Sequence, residues 1–384
     1  MRKKICVVTG SRAEYGLLQS TLKEIKASKH LELLLVVTGM HLSPEFGNTV
    51  DEITKDGFEI ADRVEMLVSS DTSVGTAKSI GLGVTGFADS FRRLRPDIVL
   101  LLGDRYEIFA AVTAAMAMNI PVAHISGGDI TEGVIDNEMR HAITKMAHVH
   151  FVAMDMHARR LAQMGEEKWR VHVVGEPCID GIKGLKRMPK TELEKTLGTK
   201  LGSPTVLVTF HPVTLRPGET TATIKNLLGA LGKIDAKIIF TYPNADAGGR
   251  GIISEIASFR KEHPGAVAFK SLGSHVYLNL LANADLIVGN SSSAIVEAPS
   301  FYLPAVNIGD RQKGRVIPRN VVSASGDESS IRKAINKALS PDFRKKISGM
   351  KNPYGNGGAA KKIVSVLTGL KTGSMLLSKK FVEI

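Results

Sequence analysis

The sequence is poor in cysteine and in aromatic residues, and each shortage argues against a class of protein. Its 384 residues include two cysteines, Cys6 and Cys178, and neither lies in a CxxC motif. This usage argues against a disulfide framework and against a cysteine-rich zinc site, and it fits a reducing cytoplasm. Aromatic residues make up 5%, and no nucleic-acid-binding motif stands out, so nucleic acid is not expected as the ligand.

Long hydrophobic runs are scarce as well. The chain starts MRKKICVVTG, and this first apolar run is too short for a secretory signal or a membrane span. We therefore expect no targeting segment and no membrane partner. Lysine and arginine number 50 against 38 for aspartate and glutamate. That excess favours anionic partners, although a solvated basic surface is its commoner cause.

What the sequence does contain is a regular alternation of apolar and amphipathic segments. Nearly continuous apolar runs such as KKICVVTG, LELLLVVTG and PDIVLLLGD are typical of parallel strands that are buried on both faces. Helix-like stretches such as YGLLQSTLKEIKAS and EIFAAVTAAMAM separate these runs. The order predicts an α/β protein with doubly wound parallel sheets.

A polar segment, GLKRMPKTELEKTLGTKLGSPT, interrupts this alternation before it restarts at TVLVTFHP. The pattern predicts an N-terminal α/β domain over residues 1–174, a C-terminal α/β domain over 175–365, and a tail over 366–384 that is either ordered or frayed. Open parallel sheets bind ligands beyond the carboxyl ends of their strands. We therefore expect the site in a cleft between the two domains.

Carboxylates follow two predicted strands of the first domain. Asp104 follows PDIVLLLG and Asp129 follows AHISGG, and together they would offer paired acid and base groups. The alternative for Asp104 is a structural N-cap of the next helix. Asp136 and Arg140 lie four residues apart and so share a helix face. There they form either a surface ion pair or a wall of the site in which Arg140 orients a carboxylate or an anion.

Histidines are frequent in the same region, at positions 141, 148, 150 and 157. Their spacing matches no pattern of metal ligands, so no metal site is predicted.

The second domain contains a strand, a Gly-Asn turn and three serines in LIVGNSSSAIVEAP. Ser291 and Ser292 would add hydroxyl donors to the free N–H groups of a helix start, which predicts a phosphate site. Capping by a single serine is the alternative. Glu297 is expected in the first turns of that helix, where its carboxylate could accept hydrogen bonds from ribose hydroxyls.

Four further polar residues follow strands of the second domain and are candidates for binding the diphosphate or nucleotide, namely His211, Asn244, Arg311 and Arg315. Each of these residues, taken alone, is equally consistent with an exposed loop position that has no role in binding. Arg12, in the first turn VVTGSRAEYGLL, stands where a glycine-rich phosphate loop would carry glycines. We expect Arg12 to reach the same anion from the first domain.

Six segments, in order, carry a resemblance to a known family: VVTGSRAEYGLL, LLGDRYE, AHISGGDITEGVIDNEMRHAITKMAH, TFHPVT, YPNADAGG and GNSSSAIVEAPSFYLPAVNIGDRQKGR. Together they resemble the hydrolysing UDP-N-acetylglucosamine 2-epimerases of sialic-acid and related nonulosonic-acid synthesis. The resemblance implies a GT-B-like fold. It also implies elimination of UDP from the sugar nucleotide to give a glycal, and then addition of water with inversion at C2 to give N-acetylmannosamine.

The resemblance also implies roles for residues. Asp104, Asp136 and Arg140 match active-site positions, and His211 matches a histidine near the diphosphate. The positions that match nucleotide contacts are Arg12, Asn244, Ser291, Ser292, Glu297 and Arg311. A UDP-sugar is then the partner, no cofactor or metal is required, and the enzyme is expected as a homodimer or homotetramer in the cytoplasm.

One departure from the family pattern leaves the sugar open. Part of the wider family has a glutamate where this chain has Ser126, whereas branches such as the one acting on UDP-N,N'-diacetylbacillosamine lack it. Asp129 is the alternative carboxylate for that role. The competing activities are a non-hydrolysing 2-epimerase and a GT-B glycosyltransferase. A sugar-nucleotide sensor without catalysis is disfavoured, because clustered carboxylates would weaken the binding of an anion.

Overall fold

Parallel strands form the frame of the computed structural model, which describes residues 2–383, with Pro217 described by its backbone alone. In chain order the strands are β1 (Lys3–Thr9), β2 (Leu31–Thr38), β3 (Ile60–Val64), β4 (Ile98–Leu102), β5 (Val122–Ile125), β6 (Val149–Val152), β7 (Val171–Val173), β8 (Thr205–Thr209), β9 (Lys237–Thr241), β10 (Val267–Phe269), β11 (Leu286–Gly289), β12 (Ala305–Ile308) and β13 (Val321–Ala324).

Helices connect the strands. In chain order they are α1 (Arg12–Ala27), α2 (Val50–Lys55), α3 (Ser73–Leu94), α4 (Tyr106–Ala117), α5 (Asp136–Met146), α6 (Asp155–Gln163), α7 (Cys178–Lys183), α8 (Lys190–Leu197), α9 (Pro217–Leu231), α10 (Gly249–Glu262), α11 (Gly273–Asn283), α12 (Ser293–Val296), α13 (Glu328–Leu339), α14 (Pro341–Ile347), α15 (Ala359–Gly369) and α16 (Ser374–Leu377). Short 3₁₀ turns lie at Gly39–Leu42, Pro44–Phe46, Lys168–Arg170 and Ala298–Phe301.

The chain divides into two compact units. Unit 1 contains Met1–Asp129, Ile135–Lys183 and Tyr354–Ile384, and unit 2 contains Ile130–Val134 and Gly184–Pro353. These bounds differ from the predicted ones at 174/175 and 365/366. The reason is that α7 and α15 both pack against α1 of unit 1, although they lie on either side of the whole of β8–β13 in the sequence.

The sheet of unit 1 has the strand order β3-β2-β1-β4-β5-β6-β7, and all its pairings are parallel. The order reverses direction between β1 and β4. In a doubly wound sheet that reversal is where the loops after the two strands diverge and leave room for a ligand.

The sheet of unit 2 repeats this plan with the order β10-β9-β8-β11-β12-β13, again parallel throughout. Its reversal lies between β8 and β11. The predicted class of doubly wound α/β sheets is therefore confirmed. Strands β3 and β13 lie at sheet edges and are partly exposed, and polar residues interrupt their sequences, so neither formed a continuous apolar run.

Both faces of the unit 1 sheet are covered by apolar layers. Ile5 and Val7 of β1 belong to the layer beneath α1 and α15, whereas Cys6 and Val8 belong to the layer beneath α3 and α4. Successive strand residues point to opposite faces, so a strand buried on both sides must be apolar at every position. Cys6 and Cys178 are both buried, and neither forms a disulfide.

The end of the chain forms an ordered segment on unit 1, which we call the C-terminal strap (residues 374–383). The guanidinium of Arg170, itself buried, donates hydrogen bonds to the carbonyls of Leu376 (2.7 Å) and Ser378 (2.8 Å). Val382 N–H donates to the Gly165 carbonyl at 3.1 Å. Of the two possibilities for the tail, the ordered one is correct for these residues.

Lys379 fixes the strap to the end of α5. Its Nζ donates to the Ala147 carbonyl (2.7 Å) and the Lys145 carbonyl (2.9 Å), and it lies 2.7 Å from the Glu166 carboxylate. Burial alone would raise the pKa of Glu166, but hydrogen bonds from His150, Lys145 and Lys379 lower it to about 2. Over residues 2–383, no helix combines the length and apolarity that a membrane crossing requires.

Candidate functional site

Asp104 lies at the carboxyl end of β4, next to the strand reversal of unit 1. The chain turns there through Gly103, whose φ is +82°, and the Gly103 N–H donates to the Ile125 carbonyl at 3.0 Å, which holds the ends of β4 and β5 together. Asp104 is not the N-cap of α4, since that position belongs to Arg105. Its carboxylate forms an ion pair with the guanidinium of Arg140.

Arg140 is the centre of a buried charge cluster in unit 1. Only 4% of the residue is exposed, and beyond its pair with Asp104 its Nη1 lies 3.4 Å from Asp129 Oδ2. Burial lowers the pKa of Arg140, but the charges of Asp104 and Asp129 outweigh burial and raise it. The guanidinium is therefore a permanent cation that holds two carboxylates at neighbouring strand ends.

Asp136, the first residue of α5, contributes to the same cluster through charge. Its carboxylate also raises the pKa of Arg140, after the larger contributions of Asp104 and Asp129. The interpretation of Asp136 and Arg140 as a surface ion pair is wrong, because Arg140 is buried and pairs with the carboxylates at the strand ends. The structure thus brings together all four catalytic candidates of the first domain.

Buried histidines support this cluster. His124 Nε2 donates to the Gly103 carbonyl at 2.7 Å, and burial lowers the pKa of His124 to about 3, so its ring is neutral. His157 Nε2 lies 3.6 Å from Asp129 Oδ1. In residues 2–383, His, Cys, Asp and Glu form no group of three or more that could hold a metal ion.

Two buried carboxylates, Glu14 of α1 and Glu107 of α4, lie beside the turn after β1 that leads to Arg12. Arg12 begins α1 and is half-buried, and the Gly10 N–H donates to Glu14 Oε2 at 3.3 Å. A side chain at Gly10 would lie 2.8 Å from Glu107, so glycine is required there. Burial, followed by the charge of Glu107, raises the pKa of Glu14 well above its usual value. The turn therefore differs chemically from a glycine-rich phosphate loop.

In unit 2 the loops at the strand reversal are locked to each other. The His211 N–H donates to Asn290 Oδ1 (2.7 Å), and Asn290 Nδ2 donates to the His211 carbonyl (2.8 Å). Gly289, with φ of +142°, lies so close to β8 that an added Cβ would be 1.9 Å from the Thr209 carbonyl oxygen. Only glycine permits this approach of the two strand ends. It places His211 beside residues 290–292, which we call the serine turn.

The serine turn leads into a helix shorter than the sequence suggested. Helix α12 has a single turn, Ser293–Val296, and Ser292 at its N-cap position makes no side-chain capping bond. Ser291 Oγ accepts a long hydrogen bond, 3.4 Å, from the Ser293 N–H. The prediction that Ser292 precedes a helix is correct, but one turn supplies little macrodipole, so hydroxyls and local N–H groups remain as the candidate donors to an anion.

Glu297 lies after α12 and before the 3₁₀ turn Ala298–Phe301. The expectation that it lies within the first turns of a longer helix is therefore wrong. Burial raises the pKa of Glu297, partly offset by a hydrogen bond from Ser293. Its carboxylate accepts hydrogen bonds, and its protonated carboxyl group also donates one.

The remaining cations of unit 2 fall into two places. Arg311 Nη1 donates to the Asn290 carbonyl at 3.2 Å and so lies beside the serine turn. Arg315 donates to the Ile130 carbonyl (2.9 Å) and to Thr131 Oγ1 (3.1 Å), which attaches the short segment Ile130–Val134 to unit 2. Asn244 is half-buried in the loop after β9.

Glu176 was not among the candidate residues, and the structure places its carboxylate against Ser126, three residues before Asp129. Ser126 Oγ lies 3.2 and 3.1 Å from the two carboxylate oxygens of Glu176. A signal was available, because Glu176 follows the short strand RVHVV just as Asp104 and Asp129 follow theirs. Strand β7 (Val171–Val173) has only three residues, so the sequence pattern did not identify the residue that follows its end.

Comparison with known proteins gives a family match over most of the chain. Residues 23–368 match the family model described as UDP-N-acetylglucosamine 2-epimerase.

Curated relatives are similar over nearly their full lengths. A GDP/UDP-N,N'-diacetylbacillosamine 2-epimerase (hydrolyzing) from Campylobacter jejuni is 41% identical, covering 89% of each chain. A UDP-N,N'-diacetylbacillosamine 2-epimerase (hydrolyzing) from Legionella pneumophila is 36% identical, covering 99% of each chain. A UDP-N-acetylglucosamine 2-epimerase from Neisseria meningitidis is 31% identical, covering 88% of each chain.

Solved structures share the fold at lower identity. A UDP-GlcNAc 2-epimerase from Neisseria meningitidis, bound to UDP-GlcNAc, has 20% identity and a TM-score of 0.80, covering 95% of this chain and 99% of that chain. The Methanocaldococcus jannaschii UDP-GlcNAc 2-epimerase in complex with UDP-GlcNAc and UDP has 18% identity and a TM-score of 0.79, with the same coverages. The predicted GT-B-like fold is confirmed.

Proposed function

The chain belongs to the UDP-N-acetylglucosamine 2-epimerase family, and we propose that it is a hydrolysing enzyme that releases UDP and a free sugar inverted at C2. The observation that carries this proposal is the pair Asp104 and Asp129, fixed by one buried guanidinium at adjacent strand ends. The chain that holds this pair is 41% and 36% identical to two relatives named as hydrolysing 2-epimerases, which favours hydrolysis over a reaction that retains UDP.

The carboxylates of unit 1 supply the acid–base chemistry in this proposal. Asp104 removes the proton from C2, the C2–H electron pair forms the C1–C2 double bond, and the C1–O electron pair leaves with UDP. The C2 proton is not acidic, so a positioned base is required as the C1–O bond breaks. Arg140 fixes the direction of Asp104, while Asp129 and Asp136 add negative charge beside the guanidinium.

Unit 2 binds UDP in the same proposal. Negative charge grows on the diphosphate as it departs, so donors aimed at it lower the barrier. Ser291 and Ser292 with their neighbouring N–H groups, together with His211 and Arg311, surround Asn290 and provide those donors. The predicted contacts of Arg12, Asn244, Glu297 and Arg315 with the nucleotide belong to this proposal as well.

For the sugar, we propose UDP-N,N'-diacetylbacillosamine in preference to UDP-N-acetylglucosamine. The two relatives of higher identity are named for the diacetylated sugar, and the relative at 31% for UDP-N-acetylglucosamine.

The test is incubation of the purified chain with each sugar nucleotide, followed by phosphorus and proton NMR. Hydrolysis predicts free UDP that accumulates with turnover and a free sugar with inverted C2, formed faster from the diacetylated substrate. A GDP-linked substrate is a useful third arm, since the Campylobacter relative is named for both nucleotides. An equilibrium of two UDP-sugars without free UDP would instead identify a non-hydrolysing epimerase. UDP release that requires an acceptor would identify a glycosyltransferase.

We further propose that the enzyme acts in the cytoplasm as a homodimer or homotetramer. Two buried cysteines that form no disulfide fit a reducing compartment, and the oligomeric state follows from the family resemblance. Light scattering after size-exclusion chromatography measures that state directly.

A further inference from the structure

Ser126 adopts a backbone conformation that is rare for its residue type. It follows β5 directly, and its φ is +64°, in the left-handed region that favours glycine. Its N–H donates to the Phe151 carbonyl of β6 at 2.9 Å. Surroundings that hold a non-glycine residue there do so at an energetic cost, and such residues concentrate at functional sites. This backbone conformation determines the direction of the Ser126 hydroxyl.

The Ser126 hydroxyl holds the carboxylate of Glu176, fifty positions later in the chain, at 3.2 and 3.1 Å from the two oxygens. The backbone of Glu176 is fixed on both sides, since its N–H donates to the Tyr354 carbonyl (3.0 Å) and its carbonyl accepts from the Ile179 N–H (3.1 Å). Only 8% of Glu176 is exposed. The carboxylate is therefore preorganised at the strand ends rather than free on a loop.

The position of Glu176 relates it to the charge cluster of unit 1. Ser126 begins the segment that ends at Asp129, and Asp129 contacts Arg140. Asp104 follows β4, the neighbour of β5 in the sheet, and adjacent strands lie about 4.8 Å apart. Glu176 thus enters the same edge of the sheet from the β7 side, whereas Asp104 enters it from the β4 side.

Serine suits a carboxyl group that changes its protonation state. A guanidinium, the partner of Asp104, only donates hydrogen bonds. A hydroxyl donates to a carboxylate and, after rotation, accepts from a protonated carboxyl. Ser126 can therefore remain bonded to Glu176 in both states, as the acid of a proton transfer requires.

We propose that Glu176, positioned by Ser126, is the acid that protonates C2 in the second half of the reaction. This inference rests on the proposed function. Inversion at C2 requires that a proton leave one face of the ring and another arrive on the opposite face, so the base of the first step is poorly placed to act as the acid of the second. Asp104 enters the sheet edge from the β4 side and Glu176 enters it from the β7 side, and this arrangement matches that requirement.

The proton balance is complete without a further reactant. Glu176 in its protonated form gives its proton to C2 of the glycal, which leaves positive charge at C1 and the ring oxygen. Water adds to C1 and passes a proton to the Glu176 carboxylate, which restores the acid. Asp104 returns to solvent the proton that it took in the first step. The net change consumes one water and releases UDP and one proton.

The test compares Glu176→Gln with the matched control Glu65→Gln, an exposed glutamate on the same unit. Glutamine keeps the size of the side chain and accepts a hydrogen bond from Ser126, but it gives no proton. In deuterium oxide we expect Glu176→Gln to release UDP and accumulate the unsaturated sugar, while the 2-epimerised sugar labelled at C2 forms about 10²–10⁴ times more slowly. Glu65→Gln should match the wild type.

Ser126 provides the second variant. Ser126→Ala should slow formation of the labelled sugar by about tenfold, the scale of one hydrogen bond to a charged group, with little change in KM, and it should shift the pH profile of the second step. Ser126→Gly, which tolerates the left-handed backbone but also lacks the hydroxyl, should be as slow as Ser126→Ala, which separates the hydroxyl from backbone strain. Circular dichroism and UDP binding establish that each variant is folded.

The outcomes separate this role from the proposed function. Wild-type formation of labelled sugar by Glu176→Gln would overturn the role of Glu176 alone. A folded Glu176→Gln that releases no UDP would also overturn it, because the residue would then act in the first step. A wild-type chain that releases no UDP from any of the substrates would overturn the proposed function and this role together.

Discussion

At the scale of single residues, one buried cation determines how the carboxylates of unit 1 are arranged. Arg140 is 4% exposed and pairs with Asp104 and Asp129. A buried cation is stable only while its partners remain, because an unpaired buried charge costs several kcal/mol. Each partner of Arg140 therefore affects both chemistry and stability, and the two effects must be measured separately.

Asp104→Asn tests the assignment of the base. The amide cannot take the C2 proton, so we expect turnover to fall by about 10²–10⁴, while UDP affinity, which the proposed function assigns mainly to unit 2, changes little. The measurements are UDP release by phosphorus NMR and UDP binding by calorimetry. The control is Asp89→Asn, the same change in an exposed ion pair on α3. Near wild-type turnover in Asp104→Asn would refute the assignment.

Ser292→Ala tests the serine turn. Removing one hydroxyl donor should weaken UDP binding by about 1 kcal/mol, roughly fivefold in Kd. Ser292 makes no capping bond in the structure, so stability should not change. Ser329→Ala, an exposed serine of α13, is the matched control. If calorimetry gave both variants the affinity of the wild type, the serine turn would not be the phosphate site.

At the scale of secondary-structure elements, the C-terminal strap supports the helix that carries Arg140. Lys379 donates to the carbonyls of Lys145 and Ala147 at the end of α5 and pairs with Glu166. Cations near a helix C-terminus are stabilising, because they satisfy carbonyls that lack helical partners. The strap therefore fixes the C-terminal end of α5, and the ion pairs of Arg140 fix its middle.

Lys379→Met tests this support. Methionine fills a similar volume but leaves Glu166 without one of its donors, so we expect the free energy of unfolding to fall by about 3 kcal/mol. Lys380→Met, at the next and exposed position of the strap, should change it by less than about 0.5 kcal/mol. Urea denaturation followed by circular dichroism gives both values. Equal effects of the two variants would mean that the strap adds no specific stability.

The elements also show how far the sequence alone could go. The runs predicted as strands, such as KKICVVTG, PDIVLLLGD and TVLVTFHP, appear in the two sheets, because strands buried on both faces must be apolar throughout. Edge strands β3 and β13 are buried less fully and carry no such pattern. The positions of Asp104 and Asp129 followed from the strand-end rule.

What the sequence could not give were contacts between segments that are far apart in the chain. The choice of Asp104 and Asp129 as the main partners of Arg140, over the nearby Asp136, depends on how α5 packs against the sheet. The bond between Ser126 and Glu176 joins two loops. The return of the chain to unit 1 at Tyr354 likewise depends on tertiary packing.

At the scale of the whole molecule, buried neutral histidines make stability depend on pH. Burial lowers the pKa of His41 and of His124 to about 3, and that of His148 to about 4. Unfolding exposes these rings, whose pKa then returns to about 6.5. The unfolded chain therefore binds more protons below pH 6.5, and the stability that these residues contribute is lost as the pH falls.

We expect the contribution of these histidines to the free energy of unfolding to be constant above about pH 7 and to decrease below about pH 6.5, by up to about 1.4 kcal/mol per pH unit for each buried histidine. Urea denaturation across this range measures the slope. The principal cause is burial rather than ion pairing, so added salt should leave the slope nearly unchanged. A stability that stays flat down to about pH 5 would contradict this account.

The discontinuity of unit 1 has a consequence during synthesis on the ribosome. Its hydrophobic core includes Ile363, Leu367 and Leu376 beside residues of α1, yet the whole of Gly184–Pro353 is translated in between. Nascent domains generally fold in the order in which they emerge. Here the later-starting unit is complete first, while the apolar surface of α1 waits uncovered for its final helix, a long interval in which chaperones can bind.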